Sequence, residues 1–199
     1  MRWSKLILLT NPTKLFNEVD LFDTICDIGI PCLHIRRAEH TFEAYRNYLD
    51  RMPKKMRDVA ILHEHVQLAE KYNLMGVHFK STSEPQQVEG KIIGKSVHSF
   101  EEALRYQDLD YLYLSPIFDS VSKQGYEAPF DKQELKTFLN NWSGKAKLYA
   151  LGGITPDNAK EALDMGFYGV VVLGSVWSQV MYTTIVRNWK KLKEVTGED

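Results

Sequence analysis

Two cysteines, Cys26 and Cys32, are all the thiol chemistry in a chain of 199 residues. They make neither a disulfide framework nor a zinc-ligand pattern, so they read as core thiols in a reducing compartment. Long apolar runs are missing too. The first, Leu6-Ile7-Leu8-Leu9, follows Met1-Arg2-Trp3-Ser4-Lys5 and is too short for the apolar region of a signal peptide or for a membrane span. It fits a first strand, and the expected location is the cytoplasm. An excess of one charge is also lacking: 25 Lys+Arg against 26 Asp+Glu give a formal net charge of -1. That argues against nucleic acid or a membrane surface as a partner. The short Lys190-Lys191 pair reads as a solvated helix end. No linker, solenoid-type repeat or low-complexity tract breaks the chain. Residues 1–199 therefore read as a single domain, slightly short beside the ~250 residues typical of a (β/α) barrel.

What is present is alternation. Short apolar runs at Lys5–Thr10, Cys32–Arg36, Val59–His63, Gly76–Lys80, Ile92–Ser96, Tyr111–Ser115, Leu148–Leu151 and Val170–Leu173 read as strands buried on both faces. Amphipathic stretches lie between them. Phe42, Tyr45 and Leu49 share one helical face, and Val66, Ala69 and Lys71 belong to another helix. Ser99 is an N-cap before Phe100, Ala103 and Leu104, with Glu101 and Glu102 in the first turn. Thr155-Pro156-Asp157-Asn158 reads as a helix start and Gly166 as its end. A last helix near Trp177 to Val195 carries Val180, Ile185, Trp189 and Leu192. The connection near Ser81 to Glu89 is polar and carries little helix. A doubly wound sheet would also alternate in this way. About eight strands favour the fold class α/β with a single (β/α)8 TIM barrel.

The last third favours the barrel further. The strand Lys147–Leu151 ends in Gly152-Gly153-Ile154, and the strand Gly169–Leu173 ends in Gly174-Ser175. Glycine lets backbone N–H groups come close to a ligand, and a helix N-terminus favours an anion. Two such turns on the seventh and eighth strands are the arrangement with which barrels hold phosphate. A small phosphorylated molecule is the expected ligand.

In a parallel barrel the C-terminal strand ends face the active site. Those ends carry His34 and Arg36, His63 and Glu64, His78, Ser96 and His98, and Ser115; four of the six histidines fall there. Such residues bind phosphate, hold metals or move protons. His63-Glu64-His65 lacks the i, i+4 pair of a helical zinc motif. His34, His63 and His78 could still converge across the mouth, but a magnesium ion bridging phosphate oxygens is favoured, since it needs only one or two carboxylates. After strand six, Ser115-Pro116-Ile117-Phe118-Asp119-Ser120-Val121-Ser122-Lys123 offers hydroxyls and a cation for a second phosphate contact.

Taken in order, these segments resemble the thiamine phosphate synthase superfamily, which also contains a thiazole tautomerase. The resemblance rests on Leu8-Leu9-Thr10-Asn11-Pro12, Leu33-His34-Ile35-Arg36, Gly76-Val77-His78-Phe79, Gly94-Lys95-Ser96-Val97-His98-Ser99, Ser115-Pro116-Ile117-Phe118 and Gly152-Gly153-Ile154-Thr155-Pro156-Asp157-Asn158. It implies coupling of a pyrimidine methyl diphosphate to a thiazole phosphate through a pyrimidine carbocation, with diphosphate leaving. By that resemblance Arg36 and Lys123 contact diphosphate, and Ser96 lies near the pyrimidine. Gly153, Gly174 and Ser175 hold the thiazole phosphate with Gly152, and His34, His63, Ser120 and Ser122 complete the substrate site. His98 is a candidate proton carrier, and Glu64 is the remaining ligand for Mg2+ bound with diphosphate. The chain departs from the synthase at Arg37-Ala38, at His63-Glu64-His65 and at Lys80-Ser81-Thr82-Ser83, where the synthase usually has a lysine, Asn-Asp-Arg and a second carboxylate. A divergent synthase is the first reading. The tautomerase, which needs neither magnesium nor diphosphate, and a non-catalytic sensor of thiazole or thiamine phosphate are the alternatives. A homo-oligomer is compatible with all three.

Overall fold

The computed structural model describes residues 3–11, 24–37, 41–119, 130–177 and 182–198. Eight parallel strands close into a barrel in sequence order: β1 (Leu6–Leu9), β2 (Leu33–Ile35), β3 (Ala60–Leu62), β4 (Gly76–Phe79), β5 (Ile92–Val97), β6 (Tyr111–Leu114), β7 (Lys147–Leu151) and β8 (Gly169–Val172). The last strand pairs with the first, with Leu6, Ile7 and Leu8 beside Val170, Val171 and Val172. Closure leaves no open sheet edge, which explains why every strand is an apolar run: one face meets helices and the other meets the barrel interior. The sequence places all eight strands correctly, with ends shifted by a residue or so.

The helices are α1 (Phe42–Arg51), α2 (Lys54–Arg57), α3 (Gln67–Lys71), α4 (Phe100–Arg105), α5 (Lys132–Asn140), α6 (Ala159–Met165), α7 (Gly174–Trp177) and α8 (Tyr182–Thr196). Their starts follow local chemistry. The Thr41 hydroxyl accepts from Ala44 N–H, Ser99 from Glu102 N–H, and Asp131 from both Gln133 and Glu134 N–H. Each such cap is worth about 0.5–2 kcal/mol. The α6 start differs from expectation. Thr155 Oγ1 accepts from Asp157 and Asn158 N–H and its carbonyl accepts from Ala159 N–H, yet regular helix begins only at Ala159. Gly166, at φ +116°, ends α6 as expected. The expected last helix is described as α8 from Tyr182, after α7 ends at Trp177; Ile185, Trp189 and Leu192 are buried, while Val180 lies outside the described residues.

Between β4 and β5 there is no helix. Its place is taken by a loop anchored on Lys95, whose side chain leaves the outer face of β5. The Lys95 ammonium donates to the carbonyls of Lys80 and Ser81 at 2.9 Å and to that of Ser83, and lies 4.7 Å from the Tyr106 ring centroid. Burial pulls its pKa down, but three carbonyls and a ring face replace much of the lost water.

Candidate active site

The pleat divides each strand between two layers. Leu33, Ile35, Leu62, Val77, Leu112 and Leu114 face the helices. The inward set is polar across one half of the barrel: His34 from β2, His63 just after β3, His78 from β4, Ser96 from β5, and Tyr111 and Tyr113 from β6. His34, His78, Tyr111 and Tyr113 are buried and His63 is half-buried. Gly94 makes room for this layer, since a Cβ there would lie 2.0 Å from Tyr111 Cζ.

These groups form two hydrogen-bonded chains. His34 Nδ1 lies 3.0 Å from His63 Nε2, and the Tyr113 hydroxyl lies 2.7 and 2.9 Å from the two His34 nitrogens. His78 Nδ1 is 3.0 Å from the Tyr111 hydroxyl, and its Nε2 is 2.8 Å from Ser96 Oγ. The His63 and His78 rings stack at 4.3 Å between centroids. Desolvation, reinforced by His63 for His34 and by both neighbouring histidines for His78, holds those two pKa values well below the usual imidazole range. His63 falls to about 3 through burial and then through Arg36 and Lys80. All three rings are therefore neutral at pH 7. Burial likewise pushes the Cys32 thiol up to about 12, in keeping with an inert core thiol; Cys26 sits in a short helical stretch at 24–28.

Around this interior, the mouth is cationic on the β2–β4 side. Arg36 and Lys80 are exposed there. Glu64 is ion-paired with Lys80. On the β5–β6 side, His98 is exposed, with Nδ1 2.8 Å from the Ser115 carbonyl, which fixes that nitrogen as the donor.

Strands β7 and β8 reach the same end with backbone. They pair in parallel, with Tyr149, Ala150 and Leu151 beside Gly169, Val170 and Val171, so the turns that follow are neighbours. Gly152 and Gly153 have φ of +96° and +65°. A Cβ on Gly153 would lie 2.4 Å from the Asp119 carbonyl oxygen. Glycine is thus required by conformation and by space. The carbonyls of this turn are committed: Leu151 accepts from Ile117 N–H, Gly152 from Phe118 N–H and Gly153 from Asn158 Nδ2. On the other turn, Gly174 and Ser175 open α7, which the Trp177 indole fixes by donating to the Leu9 carbonyl at 2.6 Å. Ser175 is 7% exposed, and its buried hydroxyl has no hydrogen-bond partner.

The structure thus brings His34, His63, Ser96, His98, Arg36, Glu64, Gly152, Gly153, Gly174 and Ser175 to the interior or mouth of one barrel end. Ser120, Ser122 and Lys123 lie outside the described residues. Sequence reasoning missed Tyr111, Tyr113, Lys80 and Asn158. The two tyrosines had a signal, the Tyr-Leu-Tyr-Leu alternation of β6, which puts both rings on one face.

Among the described residues, no helix is long and apolar enough to cross a membrane. The family model described as thiamine monophosphate synthase matches residues 6–176. A thiamine-phosphate synthase from Clostridium acetobutylicum is 28% identical over 94% of this chain and 97% of its own. A crystal structure of thiamine phosphate pyrophosphorylase from Bacteroides thetaiotaomicron superposes with a TM-score of 0.80 at 29% identity, covering 99% of both chains. The enzyme of that name from Pyrococcus furiosus, 22% identical over 98% of this chain and 96% of its own, shares the fold with a TM-score of 0.78. With its closed barrel and a family match across nearly its whole length, the chain belongs to the thiamine monophosphate synthase family, whose relatives place it in thiamine biosynthesis.

Proposed function

We propose that this protein couples a pyrimidine methyl diphosphate to a thiazole phosphate, as a divergent thiamine phosphate synthase. The observation that carries this reading is the pair of glycine turns on β7 and β8, with the buried, unpartnered Ser175 hydroxyl at the second. A phosphate seated between them would accept from backbone N–H groups and from Ser175. The Gly152-Gly153 carbonyls are already satisfied, which leaves the turn to act through its donors.

Coupling breaks the C–O bond to diphosphate, which leaves with the electron pair, and the thiazole nitrogen captures the resulting carbocation. Such a step needs leaving-group stabilisation more than a general base. Arg36, and Lys123 on the loop after β6, would supply positive charge to the departing diphosphate, and Ser96 would lie against the pyrimidine. Among the described residues, magnesium does not find a preformed cage. Glu64 is paired with Lys80, the usual second carboxylate position is Ser83, and the Ser83 carbonyl is taken by Lys95. Glu64 would become a magnesium ligand only once diphosphate brings its own oxygens.

The tautomerase reading is favoured by one observation: the chain His63–His34–Tyr113 consists of neutral, hydrogen-bonded groups suited to proton transfer. The test incubates the protein with each thiazole phosphate isomer, with and without pyrimidine diphosphate and magnesium. Coupling requires diphosphate release only when both substrates are present. Solvent-proton exchange into the thiazole alone would favour the tautomerase. Ligand binding without either reaction would overturn both and support a sensor.

A further inference from the structure

We infer that His34, His63 and His78 form a transition-metal site inside the barrel. His34 lies on β2, His63 just after β3 and His78 on β4, and one ligand nitrogen from each lies within 4.8 Å of the others. The closest pair, His34 Nδ1 and His63 Nε2, is 3.0 Å apart. Two nitrogens on a tetrahedral zinc at ~2.0–2.1 Å are separated by roughly 3.3 Å, so this pair is already near its bound spacing. The His78 ring stacks on that of His63 at 4.3 Å, so its ligand nitrogen must close in from within the 4.8 Å spread to complete the site.

The surroundings match what such a site needs. A metal-bound imidazole usually gives its other N–H to an oxygen, which fixes the tautomer. Tyr111 OH, 3.0 Å from His78 Nδ1, can take that proton and leave Nε2, beside Ser96, as the ligand atom. Tyr113 OH lies 2.7 Å from His34 Nδ1 and 2.9 Å from Nε2; metal on Nδ1, the atom facing His63, would leave the hydroxyl to Nε2 alone. An imidazole-only donor set selects zinc, cobalt, nickel, copper or iron over magnesium. Three protein ligands leave a fourth position for water or a phosphate oxygen. His63 is half-buried, the least enclosed of the three.

The competing explanation is a self-satisfied network of neutral imidazoles and hydroxyls, and metal titration separates the two. Metal-free protein is titrated with Co2+ alone and followed by visible absorption, then with Zn2+ by calorimetry. The expected result is one ion per chain, the strong absorption of four-coordinate cobalt, and no competition from excess Mg2+. His63→Ala should weaken zinc binding by about 100-fold or more, and Tyr113→Phe by about 10–100-fold, while His65→Ala changes nothing. Circular dichroism checks that each variant is folded. Should His63→Ala fail to fold, Tyr113→Phe, which keeps the ring in place, decides alone. Absence of binding, the weak absorption of six-coordinate cobalt, or equal affinity in wild type and folded variants would overturn the site.

Discussion

Strands β7 and β8 reach the mouth with backbone, whereas β2, β3 and β4 reach it with side chains. On the first side, glycine at positive φ, committed carbonyls and one unpartnered hydroxyl describe a rigid cradle with little charge of its own. On the second, three imidazoles lie beneath Arg36, Lys80 and Glu64. On the function proposed above, the difference separates holding from reacting. A backbone cradle recognises a phosphate wherever it occurs, so it can persist while the opposite half changes its chemistry. The departures from the synthase pattern that the resemblance implies all fall on the side-chain half, at residues 37–38, 63–65 and 80–83.

Four perturbations should break or sharpen this contrast. The largest is Gly153→Val. It forces a β-branched residue to a φ of +65° and drives its Cβ into the Asp119 carbonyl. Left-handed backbone and overpacking together should destabilise the fold by about 2–5 kcal/mol, read by denaturant unfolding. Wild-type stability would show that the turn rearranges freely.

Next is Lys123→Ala. Loss of a charge-assisted hydrogen bond to phosphate should weaken binding of the phosphorylated substrate by about 1.5–3 kcal/mol without unfolding the protein. Unchanged affinity would make the loop after β6 an ordinary solvated one. On the opposite half, His34→Leu leaves the Tyr113 hydroxyl and His63 without a shared partner and should cost about 1–3 kcal/mol of stability. The contrast requires that affinity for thiazole phosphate stay near wild type in this variant. A parallel loss of phosphate binding would mean that the two halves act as one.

The fourth perturbation, the second on the histidine half, is acid. The folded-state pKa of His63 is about 3 against an ordinary 6.5, and those of His34 and His78 are also lowered. Between those values the unfolded chain binds more protons than the folded one, so the metal-free protein should lose stability as pH falls from about 6.5 towards 3. Chemical denaturation at stepped pH reads this directly. A flat profile across that window would show that water reaches the rings.

Much of this was legible in the sequence. The eight strands were readable as apolar runs, and the β7 and β8 turns announce themselves because their cause is local: two glycines followed by a helix start. The Ser99 cap was readable for the same reason. The α6 start was not placed correctly, because Thr155 caps an irregular turn before the regular helix begins. Sequence alone leaves the convergence of His34, His63 and His78 open and favours magnesium, since only barrel closure and strand register decide whether separated histidines meet. Lys95 illustrates the same limit. Its role depends on a helix that is absent between β4 and β5, and its partners are carbonyls, which carry no sequence signal. The Glu64–Lys80 pair, which occupies the expected magnesium carboxylate, joins two strand ends whose proximity follows only from register.

The smallest expected effect concerns magnesium. Titrated into the free protein it should give weak heat, strengthened when diphosphate is added, because a single paired carboxylate is a poor site alone. Tight binding without diphosphate would point to a missed ligand.

The division of the mouth is tested most directly by a crystal structure of the protein soaked with thiazole phosphate. The expected density places the phosphate between the Gly152-Gly153 turn and Gly174-Ser175, within hydrogen-bond distance of Ser175 Oγ. Phosphate bound instead at Arg36 and Lys80, with both glycine turns empty, would contradict it.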